Sequence, residues 1–211
     1  MRITKDARER RDEILDIAQR LFHEKGYTQT SIEDILREIG IARGTLYYHF
    51  RSKEEILSAM IDRQIDRREI RLCQIADNKA LSAVEKLFEF IQFQSHSGVL
   101  AEGLHEAGNA ELHQKSFHRS LERFAPIMTE IVEQGIKSGE FSTPYPGECV
   151  ELLYCASQLH DPGVFSWKQE ELPRKKKAFF WMLEVTLGIS PDAKRKLYEL
   201  ARLSLEKEKI E

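Results

Sequence analysis

The stretch "TSIEDILREIGIARGTLYYHFRSKEEIL", residues 30–57, carries two helix-start signatures about twenty residues apart, and little chain lies between them. Thr30-Ser31-Ile32-Glu33 reads as a capping box with Thr30 as N-cap and Glu33 at its third position. It opens a short helix through Ile32, Ile35, Leu36 and Ile39, closed by Gly40. Ile41, Ala42 and Arg43 form a turn, and Gly44–Phe50 is long enough for only one further short helix. Ser52-Lys53-Glu54-Glu55 then repeats the capping signature and opens a long charged helix striped by Ile56, Leu57, Met60, Ile61 and Ile65. Two short helices around a glycine turn define a helix-turn-helix, which needs a third wall to close its core. The preceding segment supplies that wall: Ile14, Ile17, Ala18, Leu21 and Phe22 form one stripe, ended by Gly26. Within this bundle Leu46 and Phe50, four residues apart, share a face and join Ile14, Leu21, Phe22, Ile35 and Ile39 in the core.

That arrangement leaves Thr45, Tyr47, Tyr48 and His49 around the outer sides of a very short helix. The second helix of a helix-turn-helix enters the major groove with its N-terminal residues nearest the base edges. Gly44 and Thr45 keep that end slim. Arg43 has the fork geometry for a guanine's paired acceptors, and Thr45 and Tyr47 suit a thymine methyl or a phosphate. His49 and Lys53 fall where a phosphate strand would run, and the capped helix starts at Thr30–Ser31 and Ser52–Lys53 offer backbone amides to phosphate. Tyr48 is expected to pack rather than read. Charge distribution agrees with this reading: residues 1–53 hold 11 Lys or Arg against 9 Asp or Glu, while the other 158 hold 21 against 26.

The segment Thr30–Lys53 closely resembles the helix-turn-helix of the TetR family of transcriptional regulators, with "GTLYYHFRSKEEIL" near that family's most typical wording and "AQRLFHEKGYTQTS" extending the likeness over about residues 8–65. The resemblance implies a homodimer whose two heads read a near-palindromic double-stranded DNA operator, usually as a repressor released by a small ligand. It places DNA contacts at Arg43, Gly44, Thr45, Tyr47, His49 and Lys53, with Thr30 or Ser31 touching phosphate. One departure is Ala42, where the family often has a serine, so one hydroxyl near the reading helix is missing. The domains expected are a DNA-binding head over 1–65 and a helical effector-binding and dimerisation domain over 66–211.

Beyond residue 77, helices are expected near 80–97, 112–137, 147–160, 169–187 and 191–208, with Pro126 kinking or splitting the second and "STPYPG" marking a break. No strand alternation, repeat or low-complexity tract appears, and the chain reads as all α. "AFFWMLEVTLG" is apolar nearly all round, as a helix buried on two sides would be. Phe179, Met182, Leu183 and Leu187, with Val150, Leu153, Ala156 and Leu159 of the preceding helix, are the expected dimer seam; a central helix of a monomer is the alternative. A pocket for a small apolar or aromatic effector is expected among Phe88, Ile91, Phe93, Leu100, Leu104, Phe117, Phe124, Met128, Tyr154 and Trp181, with Gln94, His96, His105, His118 and Gln158 as polar candidates.

Other chemistry finds little support. The histidines at 96, 105, 113, 118 and 160 lack the four-residue spacing of a helical metal pair, so no metal and no cofactor is expected. No phosphate loop, nucleophile elbow or acid pair suggests an enzyme. Three cysteines at unrelated spacings suggest reduced thiols. No apolar run reaches bilayer-spanning length and the N-terminus lacks a signal peptide's apolar centre, so a cytoplasmic protein without a membrane partner is expected. The basic run "PRKKKAFF" reads as a solvated first turn. Two alternatives stay open: a DNA-binding regulator without a small-molecule effector, and a helical protein-interaction module.

Overall fold

The fold is a computed structural model that describes residues 6–95, 110–160, 167–168 and 170–207. Every regular element among the described residues is helical: α1 Ala7–Lys25, α2 Ile32–Ile39, α3 Arg43–His49, α4 Lys53–Asp77, α5 Ala83–Ser95, α6 Ala110–Ser138, α7 Pro146–Ser157 (running into a 3-10 turn, Gln158–His160), α8 Leu172–Leu187 and α9 Pro191–Lys207. The all-α reading holds. The chain divides into two compact units inside α4: the first runs up to Arg67 and takes in residues 110–117, and the second takes 68–95 and the chain from 118 onward.

The first unit is built as the apolar stripes dictate. Ile14, Leu15, Ala18 and Leu21 of α1, Ile35 of α2, Leu46 and Phe50, and Ile56, Leu57 and Met60 of α4 are all buried. Each of these side chains except Ala18 is worth about 1.5–3 kcal/mol of burial. Phe22 meets Tyr27 edge-on at 5.0 Å. Arg63 of α4 bonds Asp16 at 2.7 Å and Gln19 at 3.0 Å on α1, and Arg20 of α1 bonds Glu38 of α2 at 2.5 Å. Ile39, expected in this core, is half-buried.

The start of α2 differs from the expectation. Ser31, one residue later than predicted, is the N-cap of α2: its Oγ accepts the Asp34 N–H at 3.1 Å, and the Asp34 carboxylate accepts the Ser31 N–H at 3.0 Å. Both "T-x-x-E" and "S-x-x-D" fit the capping pattern, and Thr30 is claimed elsewhere. It is 1% exposed, with its hydroxyl at 2.8 Å from the Gly26 carbonyl and 3.2 Å from that of Leu21. Ser52 does cap α4, accepting the Glu55 N–H at 3.2 Å; the Glu55 carboxylate reaches back to the Arg51 N–H.

Those bonds hold the Asp34 carboxyl well down, to about 2 against an ordinary 3.8; the Ser31 amide is the largest cause and the Ser31 hydroxyl the next. A depressed carboxylate stabilises the folded state fully above the ordinary value, and that contribution is lost as pH falls toward about 2. The melting temperature of the first unit should therefore drop between those limits, and Asp34→Asn should melt lower at neutral pH with a flatter profile across that window.

In the second unit, Leu72 and Ile75 of α4, Val84, Leu87 and Phe90 of α5, Phe124, Met128, Ile131 and Val132 of α6, Leu183 and Leu187 of α8, and Leu197 of α9 are buried. Lys86 is 3% exposed and is satisfied by the Ala76 carbonyl near the α4 C-terminus and by Gln134 Oε1 at 2.7 Å. α6 runs unbroken through Pro126. Pro126 and Glu122, whose carbonyl loses its backbone donor there, both face solvent, so water can replace the missing bond. α8 ends at Gly188 with φ +60°, and the Ile189 N–H closes on the Glu184 carbonyl at 3.0 Å. Ser142 locks onto this end, donating its N–H to the Leu187 carbonyl at 3.0 Å and its hydroxyl to the Gly188 carbonyl at 3.1 Å.

Candidate nucleic-acid interface

α3 begins one residue earlier than expected, so Arg43 is the first residue of the reading helix, and the turn from α2 is Gly40, Ile41 and Ala42. Gly40 sits at φ +71° and returns its N–H to the Leu36 carbonyl at 2.9 Å, a left-handed end that glycine adopts without strain. Ala42 precedes the helix with no side-chain cap, as the absent serine hydroxyl implies. Leu46 is fully buried and Phe50 nearly so, and those two anchors fix which sides of this seven-residue helix face outward.

The outward side chains are the expected ones. Gly44 and Thr45 are exposed, Tyr47 is 41% exposed, and a Cβ built at Gly44 meets nothing within 4 Å. The slimness at Gly44 is thus open space rather than packing. Arg43 is held ready on the surface: its guanidinium bonds Glu33 of α2 at 3.0 Å and lies 5.7 Å from the Tyr47 ring centre. Tyr47, then Glu33, raise the Arg43 pKa above its ordinary value. His49 is half-buried and touches Tyr48 edge-on at 5.0 Å.

Three expectations change here. The Tyr48 ring does not pack into the core; it is 79% exposed, because Leu46 and Phe50 already occupy the inner face. Thr30 has no hydroxyl to offer phosphate, since its side chain is buried and directed at the Leu21 and Gly26 carbonyls; Ser31 is exposed. Lys53 is a brace: its ammonium donates to the Tyr27 carbonyl at 2.8 Å and the Thr30 carbonyl at 3.0 Å, 4.2 Å from the Tyr27 ring centre. Its charge fastens the α1–α2 loop to the start of α4, leaving one ammonium hydrogen for any other acceptor. Two residues were overlooked in the sequence. Glu33 positions Arg43, and Arg51 is an exposed cation immediately after α3, within the same "FRSKEE" that marked the cap.

The predicted effector side chains scatter. His96, Leu100, Leu104 and His105 lie outside the described residues, and Gln94 is described only as a helical position. Phe124 and Met128 are buried, and the Phe124 ring meets Tyr154 edge-on at 6.3 Å. Phe88 is buried, Ile91, Phe93 and Gln158 are half-buried, and Phe117 is half-buried but belongs to the first unit. An open cavity of about 370 Å³ is lined by Arg71, Phe88, Glu89, Gln92 and Phe93. Trp181 is 64% exposed and lines no interior space in this chain, while His118 is exposed and pairs with Glu122 at 3.3 Å.

Most of the side chains expected at a dimer seam lie inside this chain. Val150, Leu153, Leu183 and Leu187 are buried in the chain's own core, and Ala156, Phe179 and Met182 are half-buried. The apolar side chains left in water on these helices are Leu152, Leu159, Trp181 and Val185, of which Leu159 alone was predicted.

Residues 14–60 match the family described as "Bacterial regulatory proteins, tetR family", and residues 95–181 match "Tetracyclin repressor-like, C-terminal domain". An HTH-type transcriptional regulator of Staphylococcus aureus (strain USA300) is 36% identical over 123 residues, covering 56% of this chain and 65% of its own length. The match thus spans a little under two thirds of that relative. The structure of SmeT, the repressor of the Stenotrophomonas maltophilia multidrug efflux pump SmeDEF, superposes with a TM-score of 0.60 at 24% identity over 90% of this chain and 95% of that one. That of a gamma-butyrolactone receptor (ArpA-like protein) gives 0.56 at 22% identity over 95% and 98%. These structural likenesses speak to the fold, and the sequence matches, which take in the helix-turn-helix and much of the second unit, establish that the chain belongs to the TetR family of bacterial regulatory proteins.

Proposed function

We propose that this chain is a homodimeric, sequence-specific DNA-binding repressor that a small molecule releases from a near-palindromic operator. The observation that carries the reading is α3 itself: Leu46 and Phe50 are wholly committed to the core, while Arg43, Gly44, Thr45 and Tyr47 are presented together on the outside. Arg43 at the helix start is the base-reading fork, Thr45 and Tyr47 contact thymine methyl or backbone, and Ser31, His49 and Arg51 are nearest to phosphate. A second copy covers Leu152, Leu159, Trp181 and Val185. Twofold symmetry then presents two heads to half-sites about 34–36 Å apart. Repression and small-molecule control are supported by two proteins of similar fold, one a repressor and the other a gamma-butyrolactone receptor.

Selection of duplexes from a random library by the purified protein tests this reading. An enriched inverted repeat is expected. Arg43→Ala should relax preference at particular base pairs by about 1–3 kcal/mol, and Tyr47→Ala should weaken the same site. No enrichment, both before and after the protein is unfolded and refolded to strip bound ligand, would overturn it.

A further inference from the structure

α7 and α8 run antiparallel, and both ends of the pair are pinned. At one end Cys149 Sγ meets the Thr186 carbonyl at 3.5 Å, beside the bond from the Ser142 N–H to the Leu187 carbonyl. At the other, Trp167 donates its indole N–H to the Leu159 carbonyl at 2.7 Å, and the Lys175 ammonium stands 3.4 Å from the Trp167 ring centre. Each helix keeps one stripe outside the chain's own core. On α7 and the turn that ends it, the exposed residues at four-, three- and four-residue spacing are Glu148, Leu152, Cys155 and Leu159. On α8 the same spacing gives Arg174, Ala178, Trp181 and Val185, all exposed, with exposed Lys177 beside them.

Both stripes begin with charge and continue with smaller or apolar side chains, but the charges have opposite sign. Exposed Glu148 and Glu151 open α7, while exposed Arg174 and Lys177 open α8. Because the helices are antiparallel, the shared face is acidic at one end and basic at the other, with each stripe about 16 Å long. Among the described residues, no ion pair within the chain takes up any of these four charges. Their order decides how a second copy can lie on the face. A twofold axis along the helices would gather the acidic ends of both copies together and the basic ends together. An axis across the helices brings the acidic end of each copy to the basic end of the other, and symmetry makes the contact twice.

We propose that two copies of this chain meet with their twofold axis across α7 and α8, and that Glu148 and Glu151 of each clasp Arg174 and Lys177 of the partner subunit around the apolar side chains of the face. The inference rests on the homodimer reading above and adds to it the residues that fix the orientation of the copies. It also assigns those residues a part in the choice of partner, since a chain whose ends carry another order of charge meets like charge at this face.

Sedimentation equilibrium of the full chain without DNA, at low and at high salt, tests the clasp. The wild-type dimer should weaken as salt rises. Glu148→Gln with Glu151→Gln should raise its dissociation constant about tenfold, because each charge is lost twice per dimer, and should remove most of the salt dependence. Glu148→Lys with Glu151→Lys, and separately Arg174→Glu with Lys177→Glu, should each leave monomers, while an equimolar mixture of those two variants should form a mixed dimer. With the axis along the helices the ends would repel, so salt and the glutamine variant would strengthen the dimer, and that result overturns the proposal. A dimer indifferent to both would overturn it too and leave the homodimer reading in place. Trp181→Asp should be monomeric with unchanged helicity by circular dichroism; a dimer that survives it would lie on another face, and the clasp would fall. A wild type that is monomeric at every loading concentration would remove the homodimer reading itself, and the clasp with it.

Discussion

Phe50→Ala is expected to destabilise the first unit by about 3–5 kcal/mol, the range for emptying a buried aromatic site. Phe50 is 1% exposed, its N–H closes α3 on the Leu46 carbonyl at 2.9 Å, and the Arg11 guanidinium of α1 lies 4.9 Å from its ring centre. Removing the ring opens a cavity at the point where α3 turns into α4. A domain of about 60 residues has roughly 3–9 kcal/mol in total at ordinary stability per residue. Much of the head should therefore be unfolded at 37 °C, and duplex binding should fall with it. Chemical denaturation monitored by far-UV circular dichroism would resolve this as an early transition, with that of the second unit unmoved. A single unshifted transition would show that Phe50 is not the anchor described.

Gly188→Val attacks the second unit through the backbone. At φ +60° a β-branched residue costs about 1–2 kcal/mol from its own sterics. In addition, a Cβ at this position would lie 2.2 Å from Ser142 Oγ and 3.4 Å from the Ser142 backbone carbon. Crowding of that kind typically adds about 1–3 kcal/mol. The sum, about 2–5 kcal/mol, should appear in the melting of the second unit. Adding Ser142→Gly relieves the contact with the hydroxyl but not the dihedral strain, so the double variant should recover part of the loss. Full recovery would mean that the backbone conformation costs nothing there.

The head was legible because its elements are short and punctuated. Ser52 could cap only one helix, and Leu46 and Phe50 allow only one inward face for α3. The mistakes there are of single-residue register and of partner choice. Thr30 and Ser31 both fit a capping pattern, and the deciding fact is that the chain reversal after α1 brings the Gly26 and Leu21 carbonyls to Thr30. Lys53 is expected to meet phosphate, and local sequence does not reveal that two carbonyls twenty-odd residues earlier also fold back onto its ammonium.

The second unit was harder for a different reason. α8 is apolar nearly all round, so its periodicity does not say which stripe meets its own core; Leu183 and Leu187, expected at a seam, are buried within the chain, while Trp181 and Val185 are exposed. Among the expected pocket residues, apolar character at helical spacing could not separate Phe124, which is buried, from Trp181, which is exposed.

The Arg43–Glu33 pair has a consequence for how such a head would search a genome. An arginine already satisfied by a neighbouring carboxylate gains little by exchanging it for one phosphate, and bringing Glu33 toward a polyanion costs some attraction. Only a site that offers two acceptors in the plane of the fork repays the exchange. The built-in competitor therefore shortens the time spent on wrong sequences more than on the right one, raising discrimination by weakening the background instead of strengthening the target.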